Sequence, residues 1–117
     1  MEFNKWMEVQ LSKCSDKDIK AFNFNLYEGE EENEYDIQIV GCKEYSFYDD
    51  DWACDVQFSS EGDLFSFNSE SWEDALQYAA ILVNSYLHGT KSSNQLTNAE
   101  YVTAGFVDGD LEVIFQK

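Results

Sequence analysis

Apolar and polar residues alternate with a period of two along most of this 117-residue chain, and no other feature constrains its fold as strongly. Successive side chains of a β-strand point to opposite faces of the sheet, so this alternation predicts strands with one face on a core and the other in water. The alternating runs are 7–11, 22–26, 35–39 and 52–58. The sequence therefore predicts a fold made mainly of antiparallel strands.

Two residue pairs that contain glycine predict hairpin turns between such runs. Asp108 and Gly109 separate the run 101–107 from 111–115, and Glu61 and Gly62 separate the run ending at residue 58 from 64–67. Asp-Gly readily adopts the positive φ angles that tight hairpin turns require. We therefore expect a hairpin at each pair, and the hairpin at Asp108 and Gly109 is the C-terminal one.

Residues 71–89 have helical periodicity instead. Ser71 and Asp74 resemble a capping box, Glu73 and Asp74 suit the positive end of the helix dipole, and Gly89 is a typical left-handed stop. The apolar residues expected to pack on the sheet are Trp72, Leu76, Ala79, Val83, Tyr86 and Leu87. Ile81 falls on the polar arc, where it either touches the segment 91–96 or is exposed for a partner.

These elements predict one α+β domain over residues 1–117. We expect a bent antiparallel sheet of about six to eight strands, one main helix packed against it and a C-terminal β-hairpin. The length is that of a single domain, and a hydrophobic content of 44% is ample for a packed core.

The charge excludes several classes of function. The chain has 24 acidic residues and seven basic ones, all lysine, for a net charge of −17. Binding a phosphate takes about one cation, so direct nucleic-acid binding is not expected, and anionic membrane surfaces are disfavoured. The longest apolar run has five residues, at 79–83, far short of a membrane span of roughly 20. With no signal-peptide stretch in residues 1–10 and an odd number of cysteines, we expect a soluble cytoplasmic protein.

No motif in the chain points to catalysis or to a metal. Asp49 and Asp51 open like a calcium loop, but Ala53 and Cys54 stand where that loop needs Asp or Asn and then Gly. The single histidine, His88, has no nucleophile assigned to it by the sequence. We therefore expect a protein that is not an enzyme and uses no cofactor, no metal and no small-molecule substrate.

Two acidic clusters with aromatic neighbours are the candidate binding residues. Like charges at this density destabilise a compact chain, and a cationic partner would convert that repulsion into fast association and binding energy. The candidates are Glu30, Glu31, Glu32 and Glu34 in the first cluster, and Tyr48, Asp49, Asp50, Asp51, Trp52 and Asp55 in the second.

We expect the second cluster to dominate the binding energy, centred on Tyr48 beside Asp49–Asp51, because a desolvated aromatic anchor adds affinity that charge alone does not. The second choice is the helix face around Asp74, Gln77 and Ile81. Whether the two acidic clusters form one surface depends on the strand order.

The stretch 45–87 resembles small immunity proteins of bacterial polymorphic-toxin and contact-dependent growth inhibition systems. The resemblance is carried by a strand ending in Asp49–Trp52, the turn at Glu61 and Gly62, and a helix that opens at Ser71. It implies a small, acidic, non-enzymatic protein that neutralises the toxic domain of a cognate effector, often a basic nuclease. Two alternatives stay open: an acidic nucleic-acid mimic that inhibits another DNA- or RNA-binding protein, and a structural or adaptor domain.

The charge predicts that moderate salt stabilises the free protein. Raising NaCl from about 10 mM to about 150 mM shortens the Debye length from about 30 Å to about 8 Å and screens the self-repulsion. A gain of about 1 kcal/mol corresponds to a Tm increase of roughly 4–8 °C for a domain near this size. Thermal unfolding followed by circular dichroism measures this, with sucrose at equal osmolality as the control. A Tm that does not change with salt would contradict the prediction.

Overall fold

The computed structural model describes residues 2–14, 18–45, 52–53, 56–89, 96, 98–107 and 109–116. Within these ranges, six strands form one open sheet and two helices pack on it. In chain order the elements are α1 (Phe3–Lys13), β1 (Ala21–Glu28), β2 (Glu34–Cys42), β3 (Phe58–Ser59), β4 (Phe65–Asn68), α2 (Trp72–Gly89), β5 (Tyr101–Phe106) and β6 (Glu112–Gln116). The predicted α+β class, the main helix and the C-terminal hairpin are confirmed.

The sheet is mixed, whereas the sequence predicted an antiparallel one. Its strand order is β3-β2-β1-β5-β6, with β4 also pairing β2. Strand β1 pairs antiparallel with β2 and parallel with β5, where Ala21 lies opposite Tyr101. Helix α2 is the reason: its 18 residues span about 27 Å and return the chain to the end of the sheet where β1 begins. Strand β5 then runs in the same direction as β1.

The turn at Glu61 and Gly62 is not a hairpin. Strands β3 and β4 both pair with β2, at Val40 opposite Ser59 and at Ile37 opposite Phe65. Three steps along β2 therefore correspond to six along the edge, so 60–64 is a bulged loop in one interrupted edge strand. Glu61 adopts a positive φ of 53° in this loop.

The C-terminal hairpin forms with a wider turn than predicted. Tyr101 lies opposite Gln116, and the N–H of Gly109 donates to the carbonyl of Phe106 at 2.9 Å. Gly109 has no positive φ, so this is not the tight two-residue turn that Asp-Gly favours, and Asp108 itself lies outside the described residues. Gly89 likewise has no positive φ and is the last residue of α2, not a left-handed stop.

Residues 7–11, predicted as a strand, lie in helix α1. The buried residues of this helix follow helical spacing and are Phe3, Trp6, Met7, Gln10 and Leu11. A five-residue run is short enough to fit both periods, and the apolar residues that precede it decide for the helix. The predicted strand 52–58 is also wrong: Trp52 and Ala53 lie in a 3₁₀ turn, and β3 covers only Phe58–Ser59.

Both helices pack on one face of the sheet. The apolar residues that this face supplies include Phe22, Phe24, Leu26, Ile37, Ile39, Val102 and Ala104. On the opposite face a hydrogen-bonded row crosses three strands: Thr103 donates to Asn23 at 2.8 Å, Asn23 to Asn25 at 2.7 Å, and Asn25 to Gln38 at 3.3 Å. Within the described ranges, neither helix is long and apolar enough to cross a bilayer.

Helix α1 is fastened to the edge loop through Asp63. The indole N–H of Trp6 donates to the Asp63 carbonyl at 3.1 Å, and the side-chain amide of Gln10 donates to the Asp63 carboxylate. The ammonium of Lys13 lies 3.6 Å from the same carboxylate. Gln10 is fully buried, and a buried amide needs a hydrogen-bond acceptor. The Asp63 carboxylate is the acceptor for the Gln10 side-chain amide.

Asp63→Ala is expected to lower the free energy of unfolding by about 1–3 kcal/mol, because it leaves the buried Gln10 amide without its acceptor. Urea unfolding measures the change. The matched control is Asp110→Ala, which removes the same charge from an exposed residue and therefore relieves repulsion without this loss. Equal effects of the two substitutions would contradict the role of Asp63.

A candidate protein-binding surface at one end of the sheet

Three connections of the fold meet at one end of the sheet. Strand β1 ends there at Glu28, β2 begins there at Glu34, and β4 ends there at Asn68, opposite Glu34. Because β5 is parallel to β1, the β5–β6 turn reaches the same end. We call the segments 28–34, 68–74 and 109–110 the acidic end.

Close contacts hold these segments together. The N–H of Gly29 donates to the Glu34 carbonyl at 2.7 Å, which closes the first loop, and Asn33 there has a φ of 63°. The N–H of Ser69 donates to the Asn33 carbonyl at 2.9 Å and joins the first loop to the second segment. A cavity of about 300 Å³ lies where Glu28, Trp72 and Asp110 meet. The acidic end is therefore one continuous surface.

Carboxylates dominate the acidic end, and its sequence contains no lysine. The acidic residues are Glu28, Glu30, Glu31, Glu32, Glu34, Glu70, Glu73, Asp74 and Asp110. The described lysines lie elsewhere. Lys5 and Lys13 are on α1, whereas Lys20 precedes β1 and Lys43 follows β2, at the end of the sheet far from the acidic end. The lysines that the structure describes are thus separated from the acidic end.

A row of aromatic rings runs beneath the acidic end, and Trp72 stands at one end of it. Successive ring centroids from Tyr78 through Phe67, Tyr35 and Phe106 to Trp72 are 5.1, 6.0, 6.0 and 6.2 Å apart. Trp72 is 55% exposed, whereas the sequence predicted it to be buried. It is the first residue of α2, and helical side chains lean toward the N-terminus, so its ring extends to Phe106 at the very end of β5.

Of the second predicted cluster the structure describes only Trp52, and Trp52 does not lie at the acidic end. Glu30, Glu31, Glu32 and Glu34 belong to the acidic end, whereas Trp52 packs edge-on against Tyr101 at 5.8 Å in a small core that also includes Cys42. Glu34 and Cys42 are the first and last residues of β2, roughly 26 Å apart. Trp52, one of the candidate binding residues, is buried.

The remaining members of the second cluster, Tyr48, Asp49, Asp50, Asp51 and Asp55, lie outside the described residues, and the proposed central role of Tyr48 stays a prediction. Near Trp52, the ring of Tyr45 stacks on Tyr101 at 5.0 Å. Burial and the nearby Glu100 carboxylate raise the pKa of Tyr45, since both disfavour the phenolate.

Helix α2 supplies the features of the second-choice surface. The N–H of Asp74 donates to the Ser71 hydroxyl at 3.2 Å, which confirms the predicted cap. Ile81 is 55% exposed, so of the two placements left open, exposure is the one observed. His88 is exposed, with Nδ1 3.0 Å from the Asn84 carbonyl. In the described part of the chain, no three His, Cys, Asp or Glu side chains are grouped as metal ligands.

Trp72 and Glu73 were not among the predicted binding residues, because α2 was expected to bury the tryptophan. A signal was present: Trp72 directly follows the cap at Ser71, and a residue in that position leans away from the body of the helix. Glu70 and Asp110 were missed because only the strand order brings their segments to the same end of the sheet as Glu28.

No protein-family model, no curated protein and no solved structure matches this chain. What the acidic end can bind therefore follows from its own residues. Its carboxylates attract cations and accept hydrogen bonds from Lys and Arg, while the exposed Trp72 ring offers an apolar and cation–π contact. Aromatic anchors within a polar rim are typical of protein–protein contacts.

The environment of Trp72 predicts how its fluorescence is quenched. Trp72 is exposed while Trp6 and Trp52 are buried, and carboxylates surround it, so caesium ions should quench it more strongly than iodide at low salt. Raising NaCl to about 0.5 M should remove most of the difference. Trp72→Phe is the control and should abolish most of the quenching by either ion. Equal quenching constants for caesium and iodide at low salt would contradict this electrostatic description.

Proposed function

We propose that this chain is a non-enzymatic immunity protein that binds a cationic toxin domain through the acidic end and thereby neutralises it. The observation that supports this best is the convergence of three chain segments into one lysine-free acidic surface with an exposed tryptophan at its margin. Keeping these carboxylates together opposes folding, and a cationic partner relieves that cost.

The negative charge of the acidic end favours one kind of toxin. Proteins that cleave nucleic acids present Lys and Arg side chains to phosphates, and carboxylates on the acidic end are complementary to the same groups. A partner bound there would have its substrate-binding cations occupied. A nuclease acts on nucleic acid in the cytoplasm, so a protein that neutralises it would act there too. This protein would use no cofactor and would contact neither a membrane nor nucleic acid directly.

The acidic end and Trp72 are assigned different parts in binding. Exposed carboxylates such as Glu30, Glu31 and Glu32 act over a distance and speed the encounter. Trp72 acts only in contact, where covering its exposed ring slows dissociation. Charge variants should therefore change the association rate, and a variant of Trp72 should change the dissociation rate.

The test begins with the gene that precedes this one. If that gene encodes a large effector, its C-terminal domain is expressed in bacteria with and without this protein. Growth should be rescued only when both are present, and purified proteins should associate more slowly as salt rises. No rescue, or a rate independent of ionic strength, would contradict the proposal. Inhibition of several unrelated basic nucleases would indicate the nucleic-acid mimic instead.

Two sets of variants locate the surface. Replacing Glu30, Glu31 and Glu32 together with Gln should slow association at low salt by about tenfold or more. The matched control replaces Glu2, Glu8 and Glu44, which are exposed and outside the acidic end, and removes the same total charge. Trp72→Ala should weaken binding by about 2 kcal/mol through faster dissociation. Equal slowing by both triple variants would show that net charge, and not the acidic end, directs the encounter.

A further inference from the structure

The two helices leave one strip of their face of the sheet uncovered. Helix α1 lies over the β4 side, where Phe3 meets Phe65 edge-on at 5.3 Å, and α2 packs over the core formed with β1 and β5. Strand β6 lies beyond α2 at the sheet edge. Between them runs a groove of about 730 Å³, and we call it the α2–β6 groove.

The α2–β6 groove has an apolar floor and an exposed apolar rim. Its apolar lining is Trp72, Leu76, Ala80 and Ile81 from α2 with Ile114 from β6. The neighbouring Val113 lies opposite Thr103, so its side chain belongs to the other face of the sheet. Trp72 and Ile81 are each 55% exposed, although most large apolar side chains are buried in the protein, and Ile114 is half-buried. Covering these side chains would remove apolar surface from water, which favours a protein partner at this site.

The shape of the groove fits a helix. Along α2 it extends from Trp72 to Asn84, about 18 Å or three turns. A helix in this space would continue the helical layer beside α2 and contact side chains on both walls. Addition of a strand to β6 is less suited, because β6 has only five residues and its pairing with β5 is irregular at Val102 and Thr103.

The charge identifies the occupant. Glu73 and Glu112 line the groove, and Trp72 at its end adjoins Glu28 and Asp110 of the acidic end. None of the residues that line it is a lysine. A second copy of this chain would bring another −17 charges to the groove, so self-association is opposed. An amphipathic helix with Lys or Arg beside its apolar face matches both the lining and the rim.

We propose that the α2–β6 groove binds an amphipathic helix of a cationic protein, with apolar residues packed between Ile81 and Ile114 and basic residues paired with Glu73 and Glu112. This inference rests on the proposed function for the cationic nature of the partner. It adds the recognised element and a second contact region, continuous with the acidic end at Trp72.

A synthetic helix tests the groove without knowledge of the toxin. The probe is a Leu/Lys peptide of about 18 residues with leucines at helical spacing, compared with a peptide of the same composition whose leucines form no single face. Affinities are measured by calorimetry near 150 mM NaCl, and amide NMR shifts map the site. The amphipathic peptide should bind at least about tenfold more tightly than its scrambled form and shift the amides of Leu76, Ile81 and Ile114.

Glutamine variants provide the matched comparison. Ile81→Gln should weaken binding of the amphipathic peptide by about tenfold, whereas Val9→Gln, at a 43%-exposed valine on α1, should leave its affinity unchanged. Thermal unfolding of each variant verifies that it is folded. Equal affinity of the two peptides, equal effects of the substitutions at Val9 and Ile81, or NMR shifts that avoid the groove would overturn the inference.

The growth assay separates this inference from the proposed function. If the wild-type chain protects cells and the variant Ile81→Gln protects them equally, the groove inference is overturned and the immunity function stands. If the wild-type chain does not protect, the immunity function fails, and the peptide measurements still decide whether the groove binds a cationic helix.

Discussion

Unbalanced negative charge is the constraint to which the rest of this structure answers. Seven lysines cannot offset 24 carboxylates, and the four lysines that the structure describes are not spread evenly over the fold. These lysines lie on α1 or near the start of β1 and the end of β2, while the segments of the acidic end contain nine carboxylates and no lysine. Burial of large apolar side chains such as Trp6, Phe22 and Phe24 must oppose this repulsion. The acidic end is a place where stability is given up, which is typical of a functional surface.

The sequence predicted best what depends on neighbouring residues. The cap at Ser71, the helix after it and the C-terminal hairpin are local features, and the structure contains all three. Helix α1 was missed because the run 7–11 fits two periods, and its true face includes Phe3 and Trp6. The pairing of β3 and β4 was missed because a turn sequence does not reveal whether its flanking runs pair with each other or with a third strand.

The candidate site depended on topology in the same way. The Glu30–Glu34 cluster was recognised from composition, and the structure places it on the surface, but its neighbours 68–74 and 109–110 are distant in sequence. Trp52, a candidate binding residue, is buried, and Trp72, which was expected to pack on the sheet, is exposed. The alternation of Trp52 with Val56 and Phe58 gave no indication of the 3₁₀ turn in which Trp52 is buried. Helical periodicity placed Trp72 on the inner face of α2, because the sequence does not show where the sheet ends.

The parallel pairing of β1 with β5 has a consequence for how the protein is made. Ala21 pairs with Tyr101, and buried Asn23 accepts its hydrogen bond from Thr103, so the centre of the sheet closes between residues 80 positions apart. Contacts at that separation form slowly because a long loop must be ordered first. During synthesis, β1 lacks its β5 neighbour until Tyr101–Phe106 has left the ribosome, and the acidic end is incomplete until Asp110 has emerged. A partner that recognises this end therefore distinguishes finished molecules from nascent ones.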